Sequence, residues 1–304
     1  MAIQYATYRQ IDKHKWDSCI DNAANGLVYA YSFYLDEMAD NWDALITNDY
    51  ETVMPLPWRK KYGIYYLHQP FFCASLGIFS EKKITSELAA QFFQSIPAKF
   101  KYWDISLNYG NNFLLPEFGL YERTNYILNL QPGYEELVAN FKTNIKRNIK
   151  KAEEMGCTIE KNIPLTPILV LSKEILQAVS PVEEEDYNNF AELYKILFDK
   201  GQAINYAVYS AQKELLASCV FFFSHKRAYY ILVGNHPNGK TVGASHVLIN
   251  AFIKDFAGKD LLLDFEGSDI RNLAFFYSSF GAIEEKYGAI KLNRLPKLFR
   301  WLKN

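Results

Sequence analysis

The clearest pattern of apolar and polar positions lies between Tyr229 and Ala282. The run Tyr229–Val233 is aromatic and aliphatic throughout, which predicts a buried strand. Asn235-His236-Pro237-Asn238-Gly239 then interrupts it, because Pro lacks the ladder N–H and Gly has no side chain to pack. From about Thr241 to Ala257 apolar residues occur nearly all round a helix, with Val242, Val247, Leu248, Ile249, Phe252, Ile253 and Phe256 among them. Such a helix belongs against a sheet. Gly258 is placed to cap its C-terminus. Leu261–Phe265 is a short apolar run suited to a parallel strand covered on both faces. Gly267 and Ser268 end it, and Asp269 suits the N-cap of a last helix.

The same order of elements is legible earlier. A strand at Ile3–Tyr8 and a helix at Ile11–Ile20 open the chain, and an aromatic stretch turns helical from Ser32, read as its N-cap. Strands follow at Asp43–Thr47, Thr52–Trp58 and Ile64–His68, parted by hairpin-like turns. An amphipathic helix (Ile84–Ile96) leads to a strand at Lys101–Leu107. In the second half, Ile204–Tyr209, Leu215–Phe223 and Arg227–Gly234 repeat the three strands, and the buried helix and Leu261–Phe265 complete the set. Asp104 falls opposite Asp264 in this repeat. The halves predict a mixed α/β fold of two domains, residues 1–130 and 131–304.

Between the halves, Pro132-Gly133 opens and Gly156 closes one long helix with an apolar stripe of Leu137, Phe141, Ile145, Ile149, Ala152 and Met155. Lys142, Lys146 and Lys150 share a face at i, i+4 spacing, with Arg147 and Lys151 beside them. This is either a solvated face or an anion-binding one. Further helices are expected at Leu165–Val179 and Tyr187–Asp199, joined by a break at Pro181. The acidic turn Glu183–Asp186 before the second is accounted for by the helix dipole.

At 304 residues and 49% apolar composition the chain has room for a large core. Its net charge of −1 gives no support to a general DNA binder. Four scattered cysteines without a CxxC pair, and histidines without HExxH spacing, predict no metal site. They suit reduced thiols in a cytoplasmic protein. No secretory leader is read at the N-terminus, and no run reaches the ~18 apolar residues of a membrane span.

The chemistry concentrates around the glycine turn. The free N–H groups of a helix N-terminus make the loop Asn238–Ala244 a candidate anion cradle, or simply the turn of a βαβ unit. Two carboxylates, Asp264 and Glu266, end the neighbouring strand. Either could move a proton, and Asp264 could equally be a satisfied strand-end group.

Strand, hairpin, strand, glycine turn, helix and parallel strand is the order of the GNAT acyltransferase core. Two such cores joined through a basic helix resemble the Fem family of aminoacyltransferases and their tandem-GNAT relatives. The stretch FKTNIKRNIKKAEEMG resembles the basic segment that opens the second Fem core, and the spacing Phe276–Phe280–Gly281 resembles the family's L-x-x-F-K-x-x-F-G. The chain departs from the family at Tyr277, which stands where that motif has lysine. Lys240–Ser245 matches the acyl-CoA pyrophosphate motif only loosely.

The resemblance implies transfer of an acyl or aminoacyl group from an activated donor to an amine of a polar acceptor, such as a cell-wall precursor. Glu266 and Asp264 would serve the proton path and Tyr277 the leaving group. Asn235, Lys240, Thr241, Gly243 and Ala244 would hold acyl-CoA, if that is the donor; tRNA would be a partner only with an aminoacyl donor. The acyl carbonyl would sit against backbone N–H groups near Gly234 and Asn235. Arg147, Lys146 and Lys142 would grip the acceptor. The alternatives are a CoA-dependent N-acetyltransferase active in one core, and a binding protein that keeps the fold without catalysis.

Overall fold

The computed structural model describes residues 2–176, 182–267 and 269–296. The chain forms two compact units: the residues up to Thr124 with those from Lys286 onward, and Asn125–Glu285.

The first unit begins with β1 (Ile3–Ala6), α1 (Lys13–Asn22) and α2 (Ser32–Met38). Asp12 caps α1 by accepting from the His14 and Lys15 N–H groups. Ser32 is the first residue of α2 rather than its cap; its N–H and hydroxyl both go to Asp17. Three antiparallel strands follow, β2 (Trp42–Thr47), β3 (Thr52–Lys61) and β4 (Ile64–His68), then the short β5 (Phe79–Ser80), which pairs with β3. α3 (Ser86–Ser95) crosses to β6 (Phe100–Ser106), which runs parallel to β4 with Asp104 opposite His68. Leu45, Leu56, Leu67, Phe92, Phe93 and Trp103 form the core beneath α3.

β7 (Leu120–Asn129) passes from the first unit to the second. The second unit continues with α4 (Tyr134–Ala139), α5 (Thr143–Glu154), β8 (Thr158–Lys161), α6 (Leu165–Leu176) and α7 (Glu184–Asp199). The last residues of the expected helix 165–179, the Pro181 break and Ser268 lie outside the described residues. β9 (Ala203–Tyr209), β10 (Leu215–Ser224) and β11 (Arg227–Asn235) form an antiparallel meander. α8 (Pro237–Val242) and α9 (Ala244–Phe256) then lead to β12 (Leu262–Asp264), parallel to β11. The strand order is β7-β12-β11-β10-β9-β8. α10 (Arg271–Ser278) precedes β13 (Ile283–Asn293), whose later residues return to the first unit and pair antiparallel with β6. Each unit is thus a mixed sheet flanked by helices, with the repeated GNAT-like order that the sequence predicts.

α9 covers one face of the second sheet. Phe252 stacks on Phe221 at 3.8 Å between ring centroids, and Val247, Leu248, Ile249 and Ile253 are buried with it. Each such side chain contributes about 1.5–3 kcal/mol of burial. On the opposite face Phe190 of α7 stacks on Phe222, and Leu171 of α6 lies against Gly234.

Three further helix readings are corrected. The basic helix is two helices, because Phe141 turns into the core edge-on to Phe280 and the Lys142 N–H bonds to Ser279 O instead of continuing α4. The helix expected from Thr241 is divided by Gly243, which sits in the left-handed region at φ 84. The last helix is entered through Ile270, not capped by Asp269.

Candidate active site

β11 and β12 pair only over Arg227–Tyr229 and Leu262–Asp264, and then they part. A register shift between Val220 and Phe221 leaves Ile231 as the extra residue on β11, a bulge that increases local twist. From Tyr230 to Asn235, β11 has no strand partner on the β12 side among the described residues. On the other side of the opening, the chain leaves β12 through Glu266 at φ 66 and Gly267 at φ 85. A left-handed conformation at a non-glycine residue costs on the order of 1–3 kcal/mol and persists only where its surroundings enforce it.

The enforcing groups are identifiable. Asp264 Oδ1 accepts the Glu266 N–H at 2.9 Å and the Asn125 side-chain amide at 2.8 Å. Asn125 Oδ1 accepts the Gly267 N–H at 2.5 Å. Asp264 Oδ2 binds Arg227 Nη1 at 2.8 Å, and Arg227 grips Glu285 with Nη1 at 2.9 Å and Nη2 at 2.6 Å. The Arg227 side chain is only 5% exposed. Burial opposes its charge, but Glu285 and Asp264 outweigh that and push its pKa up. Both oxygens of Asp264 are therefore engaged in holding the turn.

Glu266 differs. As a residue it is partly exposed, yet its carboxyl is enclosed and Oε1 has no hydrogen-bond partner. Burial alone pushes its pKa up to about 8. Phe265, beside it, stacks on Tyr277 at 4.5 Å, and Tyr230 and Tyr126 stand 6.5 and 6.4 Å from the Tyr277 ring. Burial, then the nearby Glu266 charge, raises the Tyr277 pKa, so its hydroxyl stays protonated. Among the described residues neither the Tyr230 nor the Tyr277 hydroxyl has a hydrogen-bond partner. The arrangement is one carboxyl that can carry a proton at neutral pH and two phenols that can donate, beside unpaired strand backbone.

The anion cradle is placed differently. Asn235, Lys240, Thr241, Gly243 and Ala244 come together at the α8–α9 corner, but α5 packs over it. A Cβ on Gly243 would stand 2.9 Å from Asn148 O. Lys151 reaches Thr241 O at 2.9 Å, and the Asn148 amide lies 3.1 Å from His246 Nε2. Ala244 is buried, whereas Lys240 and Thr241 are exposed. The Gly243 N–H bonds back to Gly239 O and the Lys240 N–H to His236 O. Burial holds the His246 pKa down to about 4, so that ring is neutral at the corner. Gly243→Asp is therefore expected to destabilise the fold by roughly 2 kcal/mol or more, through backbone strain and the clash with Asn148. Urea denaturation checks this, and a Gly243→Ala protein as stable as the parent would refute it.

Lys142 at the N-cap of α5, and Lys146, Arg147 and Lys150 on the helix, are all exposed. Lys142 Nζ lies 4.6 Å over the Phe275 ring and Lys146 Nζ reaches Ala139 O. Among the described residues Arg147 has no hydrogen-bond or ion-pair partner. Among them too, no group of His, Cys, Asp and Glu could hold a metal, and no helix is long and apolar enough to cross a membrane.

The fold has known counterparts. A crystal structure of FemX aligns over 100% of both chains with a TM-score of 0.66 at 13% identity. The chain has the fold of FemX. A structure of L-PGS from Bacillus licheniformis aligns over 94% of this chain and 93% of its own, TM-score 0.55, identity 11%. The C-terminal domain of a putative lysylphosphatidylglycerol synthetase from Agrobacterium fabrum aligns over 94% and 92%, TM-score 0.54, identity 9%. No protein-family model and no curated protein matches the sequence.

Arg227, Asn125, Glu285 and Tyr230 are the site residues that sequence reasoning passed over. Arg227 had only a weak signal, a charge at the first position of the strand RAYYILVGN next to Lys226 of the turn. Asn125 and Glu285 had none, as they meet only in space.

Proposed function

We propose that the protein is an acyl or aminoacyl transferase whose reacting centre is the opening between β11 and β12. The observation that carries this is the buried, unpaired Glu266 carboxyl beside two free phenols where the strands part. An acceptor amine attacks the donor's acyl carbonyl, whose oxygen is met by the unpaired N–H groups of β11. The new C–N bond forms as the ester C–O or thioester C–S bond breaks. Glu266, as carboxylate, takes the ammonium proton, and Tyr277 gives one to the leaving group. Asp264 acts through Glu266 as a positioning residue.

The closed α8–α9 corner favours an aminoacyl or other acyl ester over acyl-CoA as donor, since a pyrophosphate there would meet the Asn148 carbonyl. The fold counterparts support the transferase class, and the Agrobacterium fabrum one is titled a putative lysylphosphatidylglycerol synthetase. The test is mass-spectrometric detection of a new amide after incubation with acetyl-CoA or aminoacyl-tRNA and amine acceptors, an anionic cell-wall precursor among them. Equal turnover by the parent and Glu266→Gln would refute the assignment. Acceptor binding without turnover of any donor would leave a binding protein.

The exposed row of α5 is proposed as the acceptor's anion grip, with Arg147 its best fork. Arg147→Ala is expected to weaken binding of an anionic precursor by roughly 1.5–3 kcal/mol, one to two decades, and less at high salt. Titration at two salt concentrations measures this, and unchanged affinity would return the row to a solvated face.

A further inference from the structure

Three large apolar residues stand out from the solvent face of the second unit within six positions. Ile270 is 62% exposed, Leu273 40% and Phe275 56%. Ile270 is the N-cap of α10 and Leu273 and Phe275 lie on it, while Tyr277 on the same helix is buried in the core. Solvated helix tips rarely keep such a cluster without a use for it. The cations beside it give the use. Arg271 is exposed on the same helix, and Lys142 lies over the Phe275 ring. The Lys142 N–H is bonded to Ser279 O at 2.9 Å, so the basic row of α5 starts at the end of α10. From Lys142 to Ala152 the chain has five cations and no acid. Glu154 at its far end pairs with Lys150 at 3.7 Å, which leaves Lys142, Lys146 and Arg147 as the cations of the row nearest the tip without an acid beside them in sequence.

We propose that the α10 tip and the α5 row together form a docking surface for an anionic lipid bilayer. The apolar tip enters the headgroup boundary and the cationic row lies along the surface charge. The combination selects a bilayer over a nucleic acid, because a phosphate backbone is matched by the cations but offers no apolar phase to the three exposed aliphatic and aromatic side chains. The surface flanks the opening between β11 and β12 through Tyr277, so a docked protein would take its acceptor from the membrane plane.

The test uses binding alone, so its failure is separable from failure of the transferase reading. The full chain is sedimented with vesicles of phosphatidylglycerol and phosphatidylcholine in equal parts, and with phosphatidylcholine alone. Co-sedimentation is expected only with the anionic vesicles and should fall roughly tenfold in Lys146→Glu/Lys150→Glu. A comparable loss is expected in Ile270→Ser/Leu273→Ser/Phe275→Ser. Because that triple variant could unfold, Phe275→Trp supplies a second readout: its emission should shift to the blue when anionic vesicles are added. No binding by the parent, or no emission shift in Phe275→Trp, would overturn the proposal. So would tighter binding to tRNA than to vesicles that survives loss of the three apolar residues, which would mark the row as a nucleic-acid site.

Discussion

Glu266→Gln is expected to make the protein more stable than the parent above about pH 8 and equally stable near pH 4. The parent carboxyl titrates at about 8 instead of its ordinary 4.5, so its protonated form favours the folded state. That contribution is fully present below the unfolded-state value and is lost as pH rises through about 8. The loss amounts to at most about 5 kcal/mol, and less where water reaches the ionised group. Glutamine has no charge to bury, so it escapes this loss. Thermal midpoints of both proteins across the pH range measure the effect; parallel curves would mean the carboxyl is not enclosed. The same substitution separates structure from chemistry. A general base of this kind contributes about 10²–10⁴ in rate, and below about pH 8 its active fraction falls tenfold per pH unit. The transfer rate of Glu266→Gln should drop by that factor and lose the limb near 8, while its stability improves.

The second large effect has the opposite sign for stability. Arg227→Met would leave Asp264 and Glu285 facing each other in a buried site without their cation. Breaking such a group by removing one member costs about 3–5 kcal/mol. Urea denaturation at neutral pH should show it, and a loss below about 1 kcal/mol would mean the carboxylates find water instead. Arg227→Lys should recover little, because a single ammonium cannot bridge two carboxylates as the planar fork does. Adding Glu285→Gln to Arg227→Met should recover part of the loss. Since the Glu266 turn hangs on Asp264, the variant should also lose the pH limb assigned to Glu266.

The parts of the fold that were readable are those set by local pattern. Apolar runs parted by short polar turns placed the two meanders, and Leu261–Phe265 was recognisable as a parallel strand by its length and composition. β7 and β13 were not read, because their residues alternate irregularly and their partners lie far along the chain. The break at Asn140–Lys142 was hidden for a related reason. Phe141 keeps helical spacing with Leu137 and Ile145, and only its contact with Phe280 shows that the helix has turned. At the site, the types and places of Glu266, Asp264 and Tyr277 were legible. Their division of labour was not. It depends on Asn125, bonded to Asp264 across 139 residues, and on Arg227, which together occupy one carboxylate and leave the other enclosed and unpaired.

The path of β13 bears on how the protein is made. The second unit is one unbroken stretch whose first and last residues meet, Asn125 Nδ2 lying 3.4 Å from Glu285 Oε2. It can close as soon as Glu285 leaves the ribosome. The first unit is written in two pieces, and β6 receives its neighbour from β13 only when Ala289–Asn293 emerge. At usual elongation rates that edge waits roughly ten to thirty seconds while the second unit is synthesised. Throughout that interval it offers unpaired N–H and C=O groups to any other nascent strand. Chains ending before Lys286 would carry the open edge permanently, and they would aggregate although every residue of the proposed reacting centre is present in them.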